Sequence, residues 1–91
     1  MKQILNFING EFVATGKQFE KRTPLDNSLI GMVHEAGKAE VDAAVKAAHD
    51  ALEGPWGKMT VVERTDILNK VADEINRRFD EFLEAECADT G

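Results

Sequence analysis

The sequence predicts an α+β arrangement: an N-terminal β-hairpin and one or two short strands, followed by three α-helices. Three observations carry this. Asn9-Gly10 sits between two short apolar runs near the start. Apolar residues recur at helical spacing after residue 39. Between the first two helical stretches lies Gly54-Pro55-Trp56-Gly57, followed by Thr60-Val61-Val62-Glu63. Pro lacks an N–H and restricts its predecessor, so it ends the first helix. Thr60 and Glu63 have the capping-box spacing that starts the next one.

The elements follow in order. Phe7-Ile8-Asn9-Gly10-Glu11-Phe12-Val13 predicts a hairpin with strands near 4–8 and 11–14, because Asn-Gly tolerates the positive φ angles of a type I′ turn. Phe19-Glu20-Lys21-Arg22 extends briefly before Pro24. Leu25-Asp26-Asn27-Ser28 has turn composition. Leu29 to Glu35 reads as a strand, with Gly31 weakening it or marking a bulge. The first helix spans about Ala39 to Glu53. Its stripe of Val41, Ala44, Val45, Ala48 and Leu52 is thin because so much of it is alanine. The second helix spans Val61 to about Arg77, with Ile67, Leu68, Val71 and Ile75 on one face. Asn76-Arg77-Arg78 forms a tight joint. The third helix runs from Phe79 to about Ala88 on Phe79, Phe82 and Leu83, and Gly91 suits the position just past a helix end.

Composition narrows the function classes. With 91 residues there is room for one small domain and a modest core. The net charge of -6 argues against nucleic acid, whose phosphates demand clustered cations. No apolar run is long enough to span a membrane or serve as a signal peptide. One cysteine, Cys87, permits no internal disulfide. Together these point to a cytoplasmic protein.

No catalytic constellation is visible. The glycines at 54 and 57 have the wrong spacing for a dinucleotide turn and do not follow a strand. His34 and His49 stand apart, without zinc-ligand spacing. Cys87 falls near a helix C-terminus, where the dipole opposes a thiolate, so it reads as a packing or surface residue. Trp56 reads as an apolar anchor. Arg64, in a first helical turn that disfavours cations, points to a specific partner.

The order of the pieces is nevertheless specific. Ile8-Asn9-Gly10-Glu11-Phe12-Val13 is followed by the Pro24 turn, the helix Glu40-Val41-Asp42-Ala43-Ala44-Val45-Lys46-Ala47-Ala48, Pro55-Trp56, Glu63-Arg64, Ala72-Asp73-Glu74-Ile75 and Asp89-Thr90-Gly91. Over all 91 residues this resembles the N-terminal segment of the NAD-binding domain of an NAD(P)-dependent aldehyde dehydrogenase. The stretches 33–37, 54–59 and 79–87 are most similar to family members that oxidise semialdehydes from aromatic ring cleavage.

That resemblance implies an α+β fragment of an α/β enzyme. It implies NAD, an aldehyde substrate, the rest of the enzyme chain as partner, and a homo-oligomeric parent. The family's nucleophilic cysteine, activating glutamate, oxyanion-binding asparagine and NAD ligands correspond to sequence beyond position 91, so no catalytic or NAD-binding residue is expected here, and the fragment alone should be inactive. Cys87 does not match the nucleophile. The resemblance also implies a monovalent-cation site formed by the carbonyls of Lys21 and Arg22 and the carboxylate of Asp89, a set of hard oxygen donors. Thr23-Pro24 stands where the family has Asn-Pro. The competing reading is an independent α+β interaction module that docks a partner helix on the thin alanine stripe.

Overall fold

The computed structural model describes residues 2–91. Two small sheets come first. Strands β1 (Lys2–Ile4), β5 (Leu29–His34) and β4 (Gln18–Arg22) form one, with β5 in the centre, parallel to β1 and antiparallel to β4. Strands β2 (Asn6–Ile8) and β3 (Glu11–Val13) form the hairpin. Helices α1 (Lys38–Glu53), α2 (Pro55–Lys58), α3 (Val61–Arg77) and α4 (Phe79–Thr90) complete the chain.

The hairpin turn has the expected chemistry. Asn9 and Gly10 take φ of 51° and 80°, as a type I′ turn requires. Phe7 and Phe12 face each other as a directly opposed cross-strand pair, with centroids 5.0 Å apart and edge to face. The hairpin is shorter than expected on its N-terminal side. Ile4 belongs instead to β1, which leaves the hairpin and pairs in parallel with β5, so three strands lie outside the hairpin.

Gly31 makes that pairing possible. It is buried, and a Cβ there would lie 2.5 Å from the Lys2 carbonyl oxygen. The expected irregularity is beside it. Lys21 pairs with Gly31 but Arg22 with Leu29, which leaves Ile30 as the extra residue of a bulge.

The helices start and stop for identifiable reasons. Glu40 Oε2 accepts the Gly37 N–H at 3.0 Å at the head of α1. At α3, the Glu63 N–H donates to Thr60 Oγ1 at 3.1 Å, and the Thr60 N–H donates to Glu63 Oε1 at 2.9 Å. The capping box is therefore complete, and α3 has the bounds its sequence predicts. Gly54-Pro55 does end α1, but the following residues do not form a loop. They make one helical turn, with Pro55 in its first-turn position, where the missing N–H costs nothing. A Cβ on Gly57 would collide with the Leu52 carbonyl, so this turn folds back tightly on the end of α1. The joint at Arg78 is present, and α4 runs two residues further than expected, to Thr90.

Losing the α3 cap should be measurable. Thr60→Ala is expected to cost about 1 kcal/mol in the full-length protein, and Thr60→Ser much less. Thermal unfolding of both variants checks this. The Glu63 carboxyl is held below its ordinary value of 4.5, chiefly by the Thr60 backbone N–H and then by its hydroxyl. A depressed carboxyl stabilises above the unfolded pKa and loses that contribution as pH falls through the folded one. NMR should place the Glu63 midpoint below 4.5 and show α3 fraying from its N-terminus as pH falls past it.

Among the described residues no hydrophobic side chain is buried. All five phenylalanines and the only tryptophan are exposed. The radius of gyration is 16.7 Å, against about 12 Å for a compact domain of this length. The extents of 47 × 34 × 16 Å describe a slab. Its apolar helix faces are formed but uncovered. No helix among the described residues is long and apolar enough to cross a membrane.

Candidate functional site

The end of β4 and the end of α4 meet at one corner of the slab. A turn after β4 prepares that corner. Thr23 is buried, and its Oγ1 accepts the Leu25 N–H at 3.3 Å. The Thr23 N–H donates to the Ser28 carbonyl at 3.0 Å, and the Asn27 N–H donates to the Thr23 carbonyl at 2.9 Å. Asp26 Oδ1 accepts the Ser28 N–H at 3.0 Å, and the Ser28 hydroxyl, followed by this N–H, holds the Asp26 carboxyl below its ordinary value. Thr23 thus builds, with a hydroxyl, the kind of turn for which Asn is also suited. The Gly91 N–H donates to the Cys87 carbonyl at 2.9 Å with Gly91 at φ 79°. A Cβ at Gly91 would come within 3.3 Å of Pro24 Cγ, so the last turn of α4 lies against this loop.

Lys21, Arg22 and Asp89 therefore gather at the corner. Lys21 Nζ lies 2.7 Å from Asp89 Oδ1. Arg22 is engaged elsewhere: Nε and Nη2 donate to Glu20 Oε2 at 3.1 and 2.9 Å, and Nη1 donates to the Asn27 carbonyl at 3.0 Å. Beside the Lys21–Asp89 pair is a cleft of about 200 Å³ floored by Ile4, Ile30 and Ala85 and flanked by Lys2. The Lys21 side chain is 35% exposed and that of Asp89 56% exposed. A pair this wet contributes about 0.2–1 kcal/mol, enough to orient α4 on the sheet but not to hold it there.

His34 is the polar anchor that the sequence does not reveal. It is 7% exposed at the end of β5. The Thr15 N–H donates to its Nδ1 at 2.9 Å, and its Nε2 lies 2.7 Å from Gln3 Oε1. A backbone N–H can only donate, so Nδ1 carries no proton and Nε2 does. One neutral ring thereby ties β1 and the loop after the hairpin to β5. The partners are distant in sequence, and the only available signal was a polar residue ending an apolar strand. ¹⁵N NMR should show the Nε2–H tautomer, and His34→Phe should accelerate exchange of the Thr15 amide.

The other singled-out residues stay apart. Cys87 is an exposed free thiol. His49 is exposed, and Trp56 is 38% exposed. Arg64 is half-buried, and no side-chain hydrogen bond or ion pair engages it among the described residues. The described residues also contain no cluster of three His, Cys, Asp or Glu side chains suited to a metal. The glycines at 54–57 belong to the tight turn against Leu52, which leaves no concave phosphate cradle.

Comparison with known proteins accounts for these formed but uncovered helices. The chain is 63% identical over 93 aligned residues to the 2-hydroxymuconic semialdehyde dehydrogenase of Pseudomonas sp. (strain CF600), covering 100% of this chain and 19% of that enzyme. It is 52% identical over 91 residues to a 2-aminomuconic 6-semialdehyde dehydrogenase of Pseudomonas sp., covering 100% of this chain and 18% of the relative. An aldehyde dehydrogenase from Bacillus cereus, solved as its NAD+ complex, superposes with a TM-score of 0.93 at 43% identity over 99% of this chain and 19% of that one. The chain thus spans about a fifth of the length of these relatives. The aldehyde dehydrogenase family profile matches residues 12–91, and the chain belongs to that family.

Proposed function

We propose that these residues are the N-terminal segment of the NAD-binding domain of a longer enzyme that oxidises an aldehyde to a carboxylic acid with NAD. The substrate we assign is 2-hydroxymuconic semialdehyde, which places the enzyme in aromatic catabolism. The observation that carries this reading is 63% identity across the whole chain to an enzyme named for that substrate. The 2-aminomuconic relative at 52% supports a muconic semialdehyde as the substrate class. NAD is assigned on the NAD+ complex of the structural neighbour. The segment contributes scaffold: it brings no nucleophile, general base or cofactor ligand, so alone it is inactive. Its partners are the remainder of the chain and further copies of it in a homo-oligomer in the cytoplasm.

The test is NADH formation by the full-length gene product. Turnover of 2-hydroxymuconic semialdehyde with a higher kcat/KM than for aliphatic aldehydes is expected, and none from residues 1–91 alone. Activity on an aliphatic aldehyde without turnover of the semialdehyde would sink the substrate assignment. Faster turnover with NADP than with NAD would sink the cofactor assignment.

A further inference from the structure

We infer that the Lys21 ammonium replaces the monovalent cation at the corner between β4 and α4. The family resemblance implies an ion held there by backbone carbonyls and the Asp89 carboxylate, but these side chains do not fit one. The carboxylate is the only full negative charge facing the cleft, and Lys21 Nζ already lies 2.7 Å from it. Lys2 also lines this cleft. A bound cation would have to displace Lys21 from Asp89, or share that one carboxylate with its ammonium at close range. The acids of the adjoining surface, Glu81 and Glu84, line neighbouring clefts and not this one. Glu20 is committed to Arg22, and Arg22 itself is drawn away by Glu20 and Asn27.

An ammonium can do what the ion would do here. It neutralises Asp89 at the end of α4, where the helix dipole disfavours an anion. It supplies three donors to oxygens, and because it is covalently attached to β4 it joins that strand to α4. The coupling between sheet and helix therefore does not depend on which salt is present. The proposal concerns stability only and is independent of the aldehyde chemistry proposed above.

The test is the unfolding midpoint of the full-length protein in NaCl, KCl and choline chloride at equal ionic strength. The unsubstituted protein should unfold at the same temperature in all three. Lys21→Gln vacates the carboxylate, and it should unfold about a degree lower in choline and recover saturably in Na+ or K+. A midpoint of the unsubstituted protein that rises specifically with Na+ or K+ would overturn the proposal, and so would Lys21→Gln without cation-specific recovery. If Lys21→Gln does not fold in any salt, Asp89→Asn decides. An equal loss in all three salts supports the ammonium, whereas a loss confined to Na+ and K+ shows that an ion was bound.

Discussion

Residues 1–91 expressed alone should bind a hydrophobic dye strongly and unfold without a cooperative transition, while the same residues in the full-length protein are protected to the level of global unfolding. The expectation rests on what the fold leaves open. No hydrophobic residue among those described is buried, and the slab is only 16 Å thick in its shortest dimension. Helix α3 presents Leu68, Val71 and Ile75 with 59%, 50% and 43% of their surface still accessible. Complete burial of such a side chain contributes about 1.5–3 kcal/mol, and ordering each residue's backbone costs about 1–2 kcal/mol. With half of the apolar gain unrealised, the helices cannot offset their own ordering. Exposed ion pairs such as Lys38–Asp42, Lys46–Asp50 and Arg78–Glu81 do not close that gap. Dye binding, denaturant unfolding and hydrogen exchange on both forms check the expectation. A sharp transition and slow amide exchange in residues 1–91 alone would instead favour a self-sufficient interaction module.

The features that were legible in the sequence are those written over a few residues. The type I′ turn follows from Asn9-Gly10 alone. The start of α3 follows from two side chains three positions apart that satisfy each other's backbone donors. Ile67, Leu68, Val71 and Ile75 do share a face, although nothing in this segment covers it. What was not legible depends on distant partners. Strand β1 is three residues long and takes its place from β5, more than twenty residues away. It merges with the hairpin in any local reading. The turn α2 escapes because Gly-Pro advertises a break, and only the fold-back onto Leu52 shows the helix that follows. At the candidate site, sequence similarity brings Lys21, Arg22 and Asp89 together as oxygen donors. That Lys21 reaches Asp89 while Arg22 turns to Glu20 depends on the angle between β4 and α4, which no spacing encodes.

The exposed stripe of α3 leads to the second large effect. Val71→Asp and Ile75→Asp should each destabilise the full-length protein by about 3 kcal/mol or more, enough to lower soluble yield, because each places an unpaired carboxylate where an apolar surface is covered. In residues 1–91 alone the same substitutions should change helicity little, since both positions are about half exposed there. The contrast is the informative quantity: a residue that matters only within the segment would show the same penalty in both contexts. Lys70→Asp, also on α3 but off the apolar stripe, serves as the control and should be nearly neutral in both. Arg64 gives the polar counterpart. It is half-buried and has no side-chain partner among the described residues, although it borders the uncovered face. Arg64→Met should therefore weaken the full-length protein more than the isolated segment, because a desolvated guanidinium needs its acceptor from the covering domain. Equal penalties in the two contexts for Val71, Ile75 and Arg64 would mean that α3 packs only against its own segment.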